Sequence, residues 1–84
     1  MRKKLYGRYI VSNPKICHGK PTFKGTRILV SDVLEQIADG LSWETIIMEW
    51  RGRLHKDAIA EAVSLSKLAF LEHADEYVIV ANAA

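Results

Sequence analysis

Apolar residues recur at two different periods along this chain, and the change from one to the other falls near residue 30. Before it the apolar runs are short and punctuated. Tyr9-Ile10-Val11, Thr22-Phe23 and Arg27-Ile28-Leu29-Val30 read as brief extended pieces, separated by Ser12-Asn13-Pro14, Gly19, Pro21 and Gly25. The simplest structure for residues 8–30 is a small, irregular β-hairpin or ribbon behind a loose basic arm at residues 1–7. Beyond it the spacing becomes helical. Ser31 is a good N-cap with Asp32 in the first turn, Val33, Leu34, Ile37 and Ala38 share one face, and Gly40 is placed to end the helix in a left-handed conformation. Ser42 caps a second helix whose face is Trp43, Ile46, Ile47 and Trp50, with Leu41 and Ile46 at the spacing of a hydrophobic staple and Gly52 as the break. A third, longer helix is predicted from about Lys56 to His73, with Ile59, Ala62, Val63, Ser66, Ala69 and Phe70 at spacings of three and four. Its N-cap would be His55, a poor capping residue.

These elements predict a mainly α fold, a three-helix, helix-turn-helix-like core preceded by a small β-hairpin or ribbon. The division of the single domain, residues 1–84, is arm and ribbon at 1–30, helical core at 31–73 and tail at 74–84. Tyr77-Val78-Ile79-Val80 is β-prone, so the tail reads as an added strand or a contact segment. A tight Gly turn between the first two helices leaves one side of the third free to enter a groove.

Length changes the picture in one respect. A chain of 84 residues buries only about 60–65% of its unfolded surface, so a homodimer or higher oligomer is expected. An apolar fraction of 49% against 26% charged residues excludes a disordered chain. The N-terminus MRKKLYGRYIV has the basic start of a signal peptide without the apolar run that follows one, and no segment is long enough to span a membrane. With a single cysteine, Cys17, these features lead us to expect a cytoplasmic protein without an internal disulfide.

Charge is distributed unevenly. Residues 1–31 carry eight Lys or Arg and no carboxylate, while residues 32–84 carry four basic side chains against ten acidic ones, so +8 and −6 make up the net +2. A basic N-terminal part suits a polyanion, or else pairs with the acidic half within one chain or across a dimer. The cations placed to meet nucleic acid are Lys20, Lys24, Arg51, Arg53 and Lys56. Two carboxylates on the outer face expected for the third helix, Asp57 and Glu61, oppose a DNA reading and favour a protein-interaction module instead. Arg27 has two roles open to it, binding phosphate or bracing Asp32 or Glu35, and bracing is the expectation.

Candidate chemistry is sparse. Cys17-His18 has the residue types of a nucleophile and base, but neighbours in an extended segment face opposite ways and no orienting carboxylate precedes residue 32. Cys17 is expected to be half-buried, with His18 hydrogen-bonded to a turn. Cys17, His18, His55 and His73 lack metal-ligand spacing. Gly19 to Thr26 fails the phosphate-loop pattern, because five residues rather than four separate Gly19 from Gly25, and Thr26-Arg27 follow where Lys and then Ser/Thr are needed. No enzyme, metal or cofactor is expected.

The segment CHGKPTFKGTRILVSDVLEQIADGLSWETII closely resembles the domain-of-unknown-function family numbered 433, which carries His-Gly-Lys-Pro, Gly-Thr-Arg-Ile and Gly-Leu-Ser in this order and spacing. The resemblance covers about residues 8–66. It implies a β-ribbon followed by a helix-turn-helix core, with His18, Gly19, Pro21, Gly25, Thr26, Arg27 and Gly40 as structural motif residues. Many members of the family are regarded as antitoxins of the VapB type, linked with PIN-like ribonuclease toxins. By that resemblance the chain is expected to bind its operator DNA and to block a toxin through its tail, with Leu68, Leu71, Tyr77 and Val78 in contact. The alternative is a non-enzymatic, oligomerising interaction module without DNA binding.

Overall fold

The computed structural model describes residues 2–79. Three short strands, β1 (Lys4–Leu5), β2 (Ile10–Ser12) and β3 (Thr22–Phe23), form an antiparallel sheet in that order, with Leu5 opposite Val11 and Ile10 opposite Phe23. Three helices follow, α1 (Val30–Ala38), α2 (Trp43–Glu49) and α3 (Lys56–His73). The mainly α architecture is as expected. The arm differs, because Lys4 and Leu5 are not loose but add a third strand to the ribbon.

One core joins the two layers. Ile10, Phe23 and Ile28 from the sheet region meet Val33 of α1, Ile46 of α2, and Leu54, Ala58, Ile59 and Ala62 at and before the start of α3. Val33, Ile46 and Ile59 are wholly buried. Each helix touches the other two. Trp50 is fixed on this core by its indole N–H, which donates to Gln36 Oε1 of α1 at 2.8 Å.

The helix ends follow local chemistry, with two departures. Gly40 has φ +91°, and the Gly40 and Leu41 N–H groups donate to the Ile37 and Gln36 carbonyls, so the last turn of α1 closes as a complete Schellman stop. Ser42 caps α2 by accepting from the Thr45 N–H at 3.1 Å. The first departure is Ser31, which lies inside α1 and is not its cap. Leu29 takes that position, because its bridge to Thr22 and the Val30 N–H bond to the Pro21 carbonyl bring the chain off the sheet two residues early. The second is the break after α2. The left-handed residue there is Arg51, at φ +57°, and Gly52 only follows it. The Arg51 and Gly52 N–H groups close the stop on the Met48 and Ile47 carbonyls, so a position that usually takes glycine holds an arginine at a cost of about 1 kcal/mol.

The predicted core face of α3 holds only for its first half. Ile59 and Ala62 are buried, but Val63, Ser66, Ala69 and Phe70 are exposed, and no residue of α3 beyond Ala62 is buried. The expected strand over 77–80 is corrected as well. Ala74–Tyr77 continues the helix as a 3-10 turn, and Val78 and Ile79 are not strand; Val80 lies outside the described residues. This projection makes the molecule long, 49 × 34 × 19 Å with a radius of gyration of 14.8 Å, where a compact chain of this length has about 12 Å.

Candidate nucleic-acid interface

The turn between α2 and α3 and the loop after β3 meet at one place. Arg27, Arg51 and Arg53 border a cleft of about 420 Å³ together with Ile28, Glu49 and Trp50. The three guanidinium groups arrive from separate causes. Arg27 follows a turn locked by Thr26, whose hydroxyl donates to the Phe23 carbonyl at 2.7 Å and accepts from the Ile28 N–H at 3.0 Å. Arg51 is set by its left-handed backbone, and Arg53 by the Leu54 anchor that follows it into the core. All three are exposed. Among the described residues the only acid–base side-chain contact within ion-pair distance is His73 with Glu76, at 2.9 Å, so none of these arginines is neutralised by a carboxylate. Glu49 borders the cleft but accepts from Gln36 Nε2 at 3.4 Å.

Arg27 therefore does not brace Asp32 or Glu35 as expected; the turn directs it to the cleft instead. Lys20, Lys24 and Lys56 are exposed, but they do not border this cleft. Lys56 opens α3, immediately beyond Arg53.

Glu61 is the residue that sequence patterning misplaced. It is not a free carboxylate on the outer face of α3. Its Oε2 accepts from the Arg8 N–H at 2.9 Å and its Oε1 from the Tyr9 N–H at 2.7 Å, pinning the β1–β2 loop to the helix. Gly7 makes that approach possible, since a Cβ there would lie 2.8 Å from the Glu61 carboxylate and its φ is +86°. Only a pairing across 53 residues reveals the role, and periodicity carries no such signal. Glu61 keeps its negative charge, because both of its partners are neutral backbone N–H groups, and Asp57 remains exposed near the start of α3.

We expect Glu61→Gln to lose about 1–2 kcal/mol, because one of the two N–H donors is left facing an amide N–H₂. Amide hydrogen exchange would check this: Arg8 and Tyr9 should lose protection while the core of α3 keeps it.

The Cys17–Gly19 segment is a tight turn, not an extended piece. Cys17, His18 and Gly19 have φ of +50°, +58° and +81°. Cys17 is half-buried as expected, with Sγ 3.7 Å from the Arg27 carbonyl. His18 is exposed, and its backbone rather than its imidazole belongs to the turn. Pro21 and Thr26 serve the ribbon through the Pro21 carbonyl and the Thr26 hydroxyl, while Gly25 turns the chain at φ +78°. No three of the His, Cys, Asp and Glu side chains among the described residues gather as a metal site would require. No helix among them is long and apolar enough to cross a membrane.

Leu68, Leu71, Tyr77 and Val78 all lie on the projecting end, between 48% and 67% exposed. Beside them Phe70 is also exposed, its ring 5.9 Å from that of Tyr77.

No curated protein and no solved structure matches the chain. The family model described as a protein of unknown function, DUF433, matches residues 10–64, a span that runs from the first buried strand residue to the first half of α3 and takes in the ribbon, the Gly40 stop and the arginine cleft. The chain belongs to the DUF433 family.

Proposed function

We propose that this protein is a non-enzymatic antitoxin of a toxin–antitoxin pair, one that binds operator DNA and a PIN-like ribonuclease toxin. The observation that carries the DNA half is the cleft in which Arg27, Arg51 and Arg53, ahead of α3, make no ion pair with a carboxylate among the described residues. Unpaired guanidinium groups are the donors of choice for phosphate oxygens. Lys20, Lys24 and Lys56 extend the basic surface along the backbone of a duplex, with α3 as the helix presented to the groove. The toxin half is supported by the exposed apolar surface of Leu68, Leu71, Tyr77 and Val78.

The test is titration of labelled promoter DNA with the full chain across a salt series. We expect binding at low salt, with the logarithm of the affinity falling linearly in the logarithm of salt concentration. Absence of a complex at low salt, both alone and with the neighbouring gene product, removes the DNA half. For the toxin half, a chain cut after Glu72 should lose the partner; retention of the partner refutes that assignment.

A further inference from the structure

Glu61 holds the main chain of an arginine but does not pair with its charge. The carboxylate accepts from the backbone N–H groups of Arg8 and Tyr9, yet among the described residues the Arg8 guanidinium makes no ion pair. It lies over the Tyr9 ring instead, 5.9 Å from the centroid. A guanidinium held over a ring has one face occupied, while its N–H donors, which lie in the plane, stay free. We propose that Arg8 contacts a backbone phosphate of nucleic acid and that Glu61 is the positioning residue for that contact. The proposal rests on the DNA reading above and adds to it a residue outside the arginine cleft.

The corner that carries Arg8 is fixed on both sides. On one side stands Glu61, which can approach because residue 7 is a glycine. On the other, just beyond the Ile10–Phe23 pair, the Lys24 N–H donates to the Tyr9 carbonyl at 2.7 Å. The Tyr9 side chain is half-buried against the core, so the platform under Arg8 is anchored as well. The Lys24 bond also sets the neighbourhood, since it ties the corner to the turn that leads through Thr26 to Arg27 of the cleft. Arg8 and Lys24 are both exposed, and residues 2–8 hold four cationic side chains and no carboxylate. A negative charge beside such a surface opposes phosphate binding. Glu61 therefore has two effects of opposite sign, repulsion through its charge and ordering through its two hydrogen bonds.

That opposition supplies the test. By charge alone, Glu61→Gln strengthens binding to DNA; by positioning, it weakens it. Full chains are titrated with labelled promoter duplex across a salt series. Arg8→Gln should lower the affinity about threefold to tenfold near 0.1 M salt and make the log–log slope shallower by about 0.9, the value of one phosphate contact. Arg8→Lys keeps the charge and should keep the slope. Glu61→Gln should bind about twofold to fivefold more weakly than wild type. Gly7→Ala, which crowds the carboxylate without altering any charge, should do the same. In an Arg8→Gln chain, Glu61→Gln should no longer weaken binding, because the guanidinium that it positions is gone. Circular dichroism at the titration temperature establishes that each variant is folded. An unchanged slope in Arg8→Gln overturns the contact while leaving the cleft its role. Tighter binding by Glu61→Gln overturns the positioning role, and so does equal weakening with and without Arg8, which marks a purely structural effect. A wild-type chain that binds no duplex at low salt removes the DNA reading itself and this contact with it.

Discussion

Ile59→Ala lowers the stability of this protein by about 3–4 kcal/mol, within the range found for removing a fully buried branched side chain. Ile59 is wholly buried where the two layers meet, with Ile10, Phe23 and Ile28 from the sheet region and Val33 and Ile46 from the first two helices in the same cluster. Truncation opens a void that neither layer can close without moving away from the other. The total stability of a domain this size is about 4–13 kcal/mol, so the loss takes a large share of it. The expected fall in Tm is about 15–25 °C. Urea unfolding followed by circular dichroism is the measurement, with wild type and variant compared under the same conditions. A loss below about 1 kcal/mol would mean that Ile59 does not occupy the junction described.

If the protein binds promoter DNA as proposed, replacing Arg27, Arg51 and Arg53 together by glutamine should weaken that binding on the order of 10²–10³-fold near 0.1 M salt and make the salt dependence shallower by about 2.7 in log–log slope, the expectation for three lost phosphate contacts. The side chains are exposed and make no ion pair among the described residues, so the circular dichroism spectrum should not change. Arg27→Gln alone should carry about one unit of that slope. An unchanged slope in the triple variant assigns the cleft no part in DNA binding, whatever the wild-type affinity.

What could be read from the sequence follows the range of the forces involved. The stop at Gly40, the Ser42 cap and the extent of α3 are set within a few residues, and all three were legible in the order of residues. The sheet was half legible. Ile10, Val11, Thr22 and Phe23 carry the pattern, but β1 has two exposed residues and owes its place to pairing with β2. The basic site was partly legible too. Arg51 and Arg53 are two residues apart in sequence, whereas Arg27 joins them only through the fold. Val63 and Phe70 continue a helical period beyond the buried core, and periodicity cannot say where the core ends. Ser31 failed as a cap for a similar reason, since a bridge from Thr22 to Leu29 set where α1 begins.

The carboxylate of Glu61 also bears on the order in which the chain becomes structured during synthesis. The basic arm is made before α3, and the group that holds its Arg8 and Tyr9 amides is added 53 residues after Arg8. Until α3 is made and folded, the chain's most cationic segment has no clamp. Pairings so distant in sequence close late, after the local helical contacts have formed. Up to residue 31 the growing chain carries eight cationic side chains and no carboxylate, so the stretch that Glu61 later clamps is made as a polycation.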